Sequence, residues 1–154
     1  MTEFELLECE AQKENVEVIN YTFSSDRIKG LYCDGTVALN RNLNTTAEKR
    51  CILAEELGHY HTTYGNIVSM DSVSDRKQEL RARTWAYDKM IGLTGIIDAY
   101  KHGCRSSHET ADFLNVTEEF LVDAINAYKH KYGISVRIDN YVIYFEPLGV
   151  FKLI

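Results

Sequence analysis

The stretch RIKGLYCDGTVALN, residues 27–40, narrows the choice of fold more than any other part of this chain. Two short apolar runs flank Asp34-Gly35. A two-residue type I′ connection needs positive φ at both central residues, and Asp-Gly meets that need at low steric cost. The spacing predicts a β-hairpin over about residues 28–33 and 36–40.

Helical signals surround this hairpin. Thr2 and Glu5 form a Thr-x-x-Glu capping box, and Phe4, Leu7 and Ala11 recur on one face, so a helix is expected over about residues 3–15. VEVINYTF then alternates as a strand does. After the polar loop NRNLNTTAEKR, Thr45 and Glu48 form a second capping box for a helix over about 46–62, which Gly65 ends. NIVSMDSVS reads as a connector, and SDRKQELRARTWAYDKMI as a helix over 74–91 with Ser74 as N-cap. GLTGIIDAYKHGC suggests a short helix after a glycine break. Two further helices lie in SSHETADFLNVTEEFLVDAINAYKHKYG, the second capped by Thr117 and ended by Gly133. The tail alternates around Asp139-Asn140 as a second hairpin, and Pro147 and Gly149 set off a last extended segment.

That order describes an α+β fold, a helical domain with a small antiparallel sheet of hairpins. With 154 residues, one domain is expected over 1–154, as a core of 1–95 followed by C-terminal helices and a hairpin at 96–154. No apolar run approaches the roughly 20 residues that span a bilayer. The first residues, MTEFELLECEAQKENVEVI, are acidic and periodic, unlike a signal peptide, so a cytoplasmic protein is expected. A net charge of −6 argues against direct nucleic-acid binding, which needs a basic surface, while it suits a basic protein partner. Cys9, Cys33, Cys51 and Cys104 are scattered with no Cys-x-x-Cys, so free thiols acting as small hydrophobes are expected.

The chemistry concentrates in CILAEELGHYHTT, residues 51–63. A zinc-protease helix carries His-Glu-x-x-His, and here Glu55-Glu56-Leu57-Gly58-His59 has a glutamate in the first position. Residues i and i+4 share a helix face, so Glu55 and His59 can aim at a common point. Glu56 lies about 100° round the helix, where metalloproteases keep their general base. A carboxylate oxygen is itself an acceptable zinc ligand. The next helix offers a third donor, Glu79, in KQELRARTWAYDK. Ala82 and Ala86 keep that face thin and let the two helices approach. Alone, a Glu-Glu-x-x-His sequence is usually a solvated face.

CILAEELGHYHTTYGNI followed by KQELRARTWAYDKMI resembles the ImmA/IrrE family of metallo-endopeptidases from phages and other mobile elements. The family pairs a His-Glu-x-x-His helix with a later Glu-x-x-Ala-x-x-(aromatic)-Ala helix, a pattern that Glu79, Ala82, Trp85 and Ala86 fill. The hairpin and the lead-in TTAEKRCILAEELGH look similar too, and the likeness spans roughly residues 1–90. It implies a zincin-like pair of active-site helices, Zn²⁺ as cofactor, Glu55, His59 and Glu79 as ligands, and Glu56 as the catalytic base. It also implies a protein substrate, a DNA-binding repressor of the phage or element. Glu55 stands where the family has its first histidine. Two carboxylates and one imidazole put one more negative charge on the ion than two histidines and one glutamate. That weakens the ion's pull on water and predicts a slower hydrolase, or one suited to Mn²⁺ or Fe²⁺. A second reading is an anti-repressor module that grips the repressor without cleaving it. A third is a toxin–antitoxin or other element-maintenance component on the same fold.

The remaining candidates have plainer readings. His61 lies about 200° round from His59 and is expected to serve at the surface or in a hydrogen bond. His102, His108 and His130 are expected to be exposed. Tyr60 and Tyr87 have the chemistry of oxyanion donors, but in a chain of ten tyrosines packing is the expectation for both. Cys51, Leu80 and Trp85 are expected to be buried. ETADFLNVTEEFLVDAI echoes a helix-turn-helix, yet Thr117, Glu118 and Glu119 open its second helix, where a DNA reader needs basic or amide side chains.

Overall fold

The computed structural model describes residues 1–62 and 72–154, with side chains from 75 onward in the second stretch. The expected end of the second helix at Gly65 and the connector up to residue 71 lie outside the described residues. The chain divides into two compact units, Met1–Ala86 and Tyr87–Ile154. No described helix is long and apolar enough to cross a membrane.

The first unit opens with α1, Glu3–Lys13. Both halves of its capping box form. The Glu5 N–H donates to Thr2 Oγ1 at 3.1 Å, and the Thr2 N–H donates to Glu5 Oε2 at 2.7 Å. Leu7 and Ala11 are the buried face of this helix. Strand β1, Glu17–Tyr21, follows, then the hairpin of β2, Gly30–Cys33, and β3, Thr36–Asn40. The turn has φ +48° at Asp34 and +83° at Gly35, as the Asp-Gly signal requires. The sheet order is β1-β3-β2, and β2 pairs antiparallel with β3. One pairing departs from an all-antiparallel sheet, because β1 runs parallel to β3 with Glu17 opposite Thr36. A hairpin's direction is set by its own turn, whereas β1 is joined through a longer excursion that leaves its direction open.

Helix α2, Thr46–Thr62, buries Leu53, Ala54, Leu57 and Gly58. Only half of its expected capping box forms. The Glu48 N–H donates to Thr45 Oγ1 at 3.1 Å, while the Glu48 carboxylate lies 3.3 Å from Lys29 Nζ. The core of this unit is made by Val16, Val37, Leu39 and Leu53, each almost fully buried. Helix α3, Ser72–Met90, starts two residues before the expected N-cap, so Ser74 lies in its first turn. Serine and aspartate suit both a cap and a first turn, so Ser72-Val73-Ser74-Asp75 leaves the start ambiguous.

The second unit holds α4, Gly92–His102, α5, Ser107–Leu114, and α6, Glu118–Tyr132. Ser106 caps α5 through the Glu109 N–H, and Thr117 caps α6 through the Phe120 N–H, both at 3.1 Å. Asn115 takes a left-handed conformation with φ +53° to end α5. Strands β4, Ser135–Ile138, β5, Tyr141–Phe145, and β6, Leu148–Lys152, form a second sheet in that order, antiparallel throughout. The last extended segment is thus a third strand of this sheet. Ile96, Leu121, Ala124, Tyr128 and Ile143 form its core. Tyr128 donates to Asp88 Oδ1 at 2.9 Å, which supplies its buried hydroxyl with a partner.

Within the first unit, α2 and α3 touch backbone to backbone. Ala82 and Ala86 have no exposed surface, and a Cβ placed on Gly58 would run into the Ala82 carbonyl. Alanine gains about 1 kcal/mol over glycine in a helix interior, but overpacking against rigid backbone costs about 1–3 kcal/mol. Gly58→Ala is therefore expected to lower the urea midpoint in equilibrium unfolding. An unchanged or higher midpoint would mean that the helices separate freely and that their contact is slack.

Candidate active site

The close approach at Gly58 carries the next residue, His59, to the side chain of Glu79 one turn before Ala82. His59 Nε2 and Glu79 Oε2 stand 3.1 Å apart, both part-exposed. Glu79 uses its other oxygen as well, since Arg83 Nε donates to Glu79 Oε1 at 3.1 Å. One carboxylate is therefore held between an imidazole on the neighbouring helix and a guanidinium one turn along its own.

Glu56 lies on the side of α2 that meets β2. Asn40 N–H bonds to the Lys29 carbonyl, so alternation along the ladder leaves the Tyr32 N–H facing away from β3. That N–H donates to the Glu56 carboxylate. Gly30 makes room for the approach. A Cβ there would sit 2.6 Å from Ile52 Cγ2 and 3.2 Å from Glu56 Cγ. Burial raises the Glu56 pKa most, the Tyr32 N–H pulls it down, the Glu55 and Glu79 carboxylates raise it, and the net result is about 7. A carboxyl poised near neutrality has the character of a general base.

Two donors on a tetrahedral zinc ion stand about 3.3 Å apart, given ligand distances near 2.0–2.1 Å. The His59–Glu79 separation matches such an edge, and imidazole with carboxylate is a fitting donor pair for a divalent ion. Glu55, one turn before His59, is part-exposed, and its charge is felt at Glu56. Among the described residues, no three His, Cys, Asp or Glu side chains are gathered closely enough to hold an ion. Among the described residues, His59 and Glu79 are thus the two donors brought together, and no third joins them.

The family model for the IrrE N-terminal-like domain matches residues 6–126. The chain belongs to the Peptidase_M78, or ImmA/IrrE, family. Membership supports a metallopeptidase-type function and a protein substrate, and it extends past α2 and α3 through α5 and most of α6. No curated protein and no solved structure matches the chain.

Around this family core the minor candidates find ordinary roles. His61 Nε2 lies 2.9 Å from Glu14 Oε2, and its ring stacks on Trp85 with centroids 4.5 Å apart. Tyr60 donates to the Glu14 carbonyl at 3.4 Å and packs edge-on against Tyr32. Tyr87 is buried against Phe120, and Cys51 is buried. None of the four cysteines forms a disulfide among the described residues, and His102, His108 and His130 are exposed. Leu80 contradicts its expected burial, being 59% exposed. It lies two residues from Ala82, about 200° round the helix, and so faces away from α2. Trp85 is half-buried rather than core.

Three contributors escaped the sequence reading. Arg83 was detectable as an i+4 partner of Glu79. The Tyr32 N–H and the clearance at Gly30 left no local signal, since they depend on how β2 meets α2.

The raised Glu56 pKa has a stability consequence in metal-free protein. The folded state holds this proton more tightly than the unfolded chain, so the contribution of Glu56 to stability is fully present below pH 4.5 and is lost as pH rises through about 7. Glu56→Gln removes that loss. Thermal unfolding should show the variant gaining on the order of 2–3 kcal/mol above pH 7 and nothing near pH 4. An equal gain at both pH values would mean that the Glu56 charge is not the cause.

Proposed function

We propose that this protein is a metal-dependent endopeptidase in which Glu56 is the general base and His59, Glu79 and Glu55 hold the ion. The observation that supports this reading is the meeting of His59 with Glu79, from two helices, beside a half-buried glutamate of raised pKa. Zn²⁺ is the cofactor first expected for one imidazole with carboxylates, and the carboxylate-rich set also suits Mn²⁺ or Fe²⁺. When bound, such an ion polarises the scissile carbonyl and acidifies the attacking water.

The chain's own residues supply the rest. Glu56 takes a proton from the attacking water and returns it to the leaving amine. The Tyr32 N–H orients the Glu56 carboxylate and favours its ionised form. His59 and Glu79 come from rigid helices in backbone contact, so their mutual geometry needs little reorganisation. The proposed substrate is a DNA-binding repressor of a phage or mobile element. A net charge of −6 favours encounter with such a basic partner.

Three variants test the reading together. Glu56→Gln should retain metal and lose cleavage by roughly 10²-fold or more. Glu79→Ala should lose metal, measured as ion content of the purified protein. Glu55→His should raise zinc affinity; unchanged affinity and cleavage would remove Glu55 from the ligand set. Wild-type protein that takes up no metal yet binds its repressor would leave only the anti-repressor module.

A further inference from the structure

The second unit holds a cavity that the proposed peptidase chemistry does not use. Its volume of about 550 Å³ is in the usual range for small-molecule sites. Ile96 and Tyr100 of α4 form one wall, and Leu148, Val150 and Phe151 of β6 form another. The polar lining comes from Arg105, Ser106, Ser107 and Thr110, in the turn before α5 and in its first turn.

Thr110 is the residue that points to a ligand. It is only 6% exposed, one of the two buried polar side chains among the described residues. The other, Asn40, is satisfied by the Ile28 carbonyl and the Asn42 N–H. The Thr110 hydroxyl has no hydrogen-bond partner among the described residues, yet its oxygen is not sealed off by protein. Buried hydroxyls are ordinarily paired. Its place in the cavity wall leaves a group inside the cavity as the partner.

Thr110 shares a helix face with Ser106 and Ser107. Ser106 Oγ accepts from the Glu109 N–H and donates to Glu109 Oε1, both at 3.1 Å. The Ser107 N–H, by contrast, has no partner within the helix. A helix start of this kind favours an anionic oxygen. Arg105 adds a guanidinium held in place. Its Nη1 donates to the Tyr100 carbonyl at 3.0 Å and the Cys104 carbonyl at 2.8 Å, and the group lies 4.4 Å over the Tyr100 ring. Nε and Nη2 have no partner among the described residues, and together they make the parallel fork that a carboxylate accepts.

We propose that this cavity binds a monocarboxylate carried on an apolar body, either a free organic acid or the end of a peptide chain. The carboxylate meets the Thr110 hydroxyl, the start of α5 and Arg105, and the apolar body lies between Tyr100 and Phe151. Inorganic phosphate would bring about two charges to one guanidinium and leave the apolar walls uncovered. The site stands apart from the metal reading, since every group involved lies within Tyr87–Ile154.

The full chain would be titrated with 3-phenylpropionate, its neutral amide, N-acetyl-leucine and inorganic phosphate. Calorimetry would give the affinity, and the amide NMR signals of Ser107 and Thr110 would give the place. At least one of the two carboxylates should bind with Kd below about 1 mM and shift those signals. The neutral amide and phosphate should bind roughly tenfold more weakly or worse. The tighter carboxylate names the source, a free acid for 3-phenylpropionate and a peptide end for N-acetyl-leucine. Thr110→Val and Arg105→Gln should each weaken binding by about tenfold, while Thr110→Ser keeps it, with circular dichroism confirming the fold. Equal binding of acid and amide, phosphate binding as tight as either carboxylate, or an unchanged affinity in Thr110→Val overturns the proposal. So does a wild type that binds neither carboxylate.

Discussion

The backbone contact between α2 and α3 at Gly58 and Ala82 governs the geometry of the candidate site. That contact brings the two helices close enough for His59 and Glu79 to meet across them. Gly58 removes the Cβ that would hold α3 away, and Ala82 and Ala86 present the thinnest face a helix can offer without losing propensity. His59 and Glu79 sit beside that contact and inherit its precision. The residues that make the approach carry no ionisable side chain, and they bring together two that do.

A second contact, between α2 and the edge strand β2, sets the electrostatics. Gly30 lets the strand lie against the Glu56 side chain, and burial there disfavours the carboxylate. The Tyr32 N–H works the other way and tempers the shift. Helix α2 is thereby flanked by the Glu56 carboxyl on the strand side and the His59–Glu79 pair on the α3 side. This arrangement puts Glu55 and Glu56, neighbours on one helix, in different surroundings. It also explains why adjacent glutamates on one helix can be assigned different roles, because their surroundings differ even though their chemistry does not.

Much of this was legible in the residues. The Asp34-Gly35 hairpin, the Thr2–Glu5 capping box and the Thr117 cap are local devices, and each formed where the spacing placed it. The small residues at 82 and 86 announced a close helix pair, and the i, i+4 relation of Glu55 and His59 pointed to one face of α2. Where expectation failed, a non-local choice was involved. Leu80 is apolar but faces away from α2, because the alanine face of α3 took the buried side. The parallel pairing of β1 with β3 depended on a long connection and not on a turn.

The sequence by itself determined the local units: the starts and stops of most helices, the two hairpin turns, and the set of side chains able to act as acid, base or ligand. These follow from short-range sterics and hydrogen bonding, which a few neighbouring residues settle among themselves. Only the tertiary structure decided which donors meet, that the free N–H of Tyr32 turns to Glu56, and that His59 faces Glu79. Those outcomes depend on distances of a few ångströms between segments far apart in the chain. Such distances emerge from the packing of whole elements, to which no single stretch of residues holds the key.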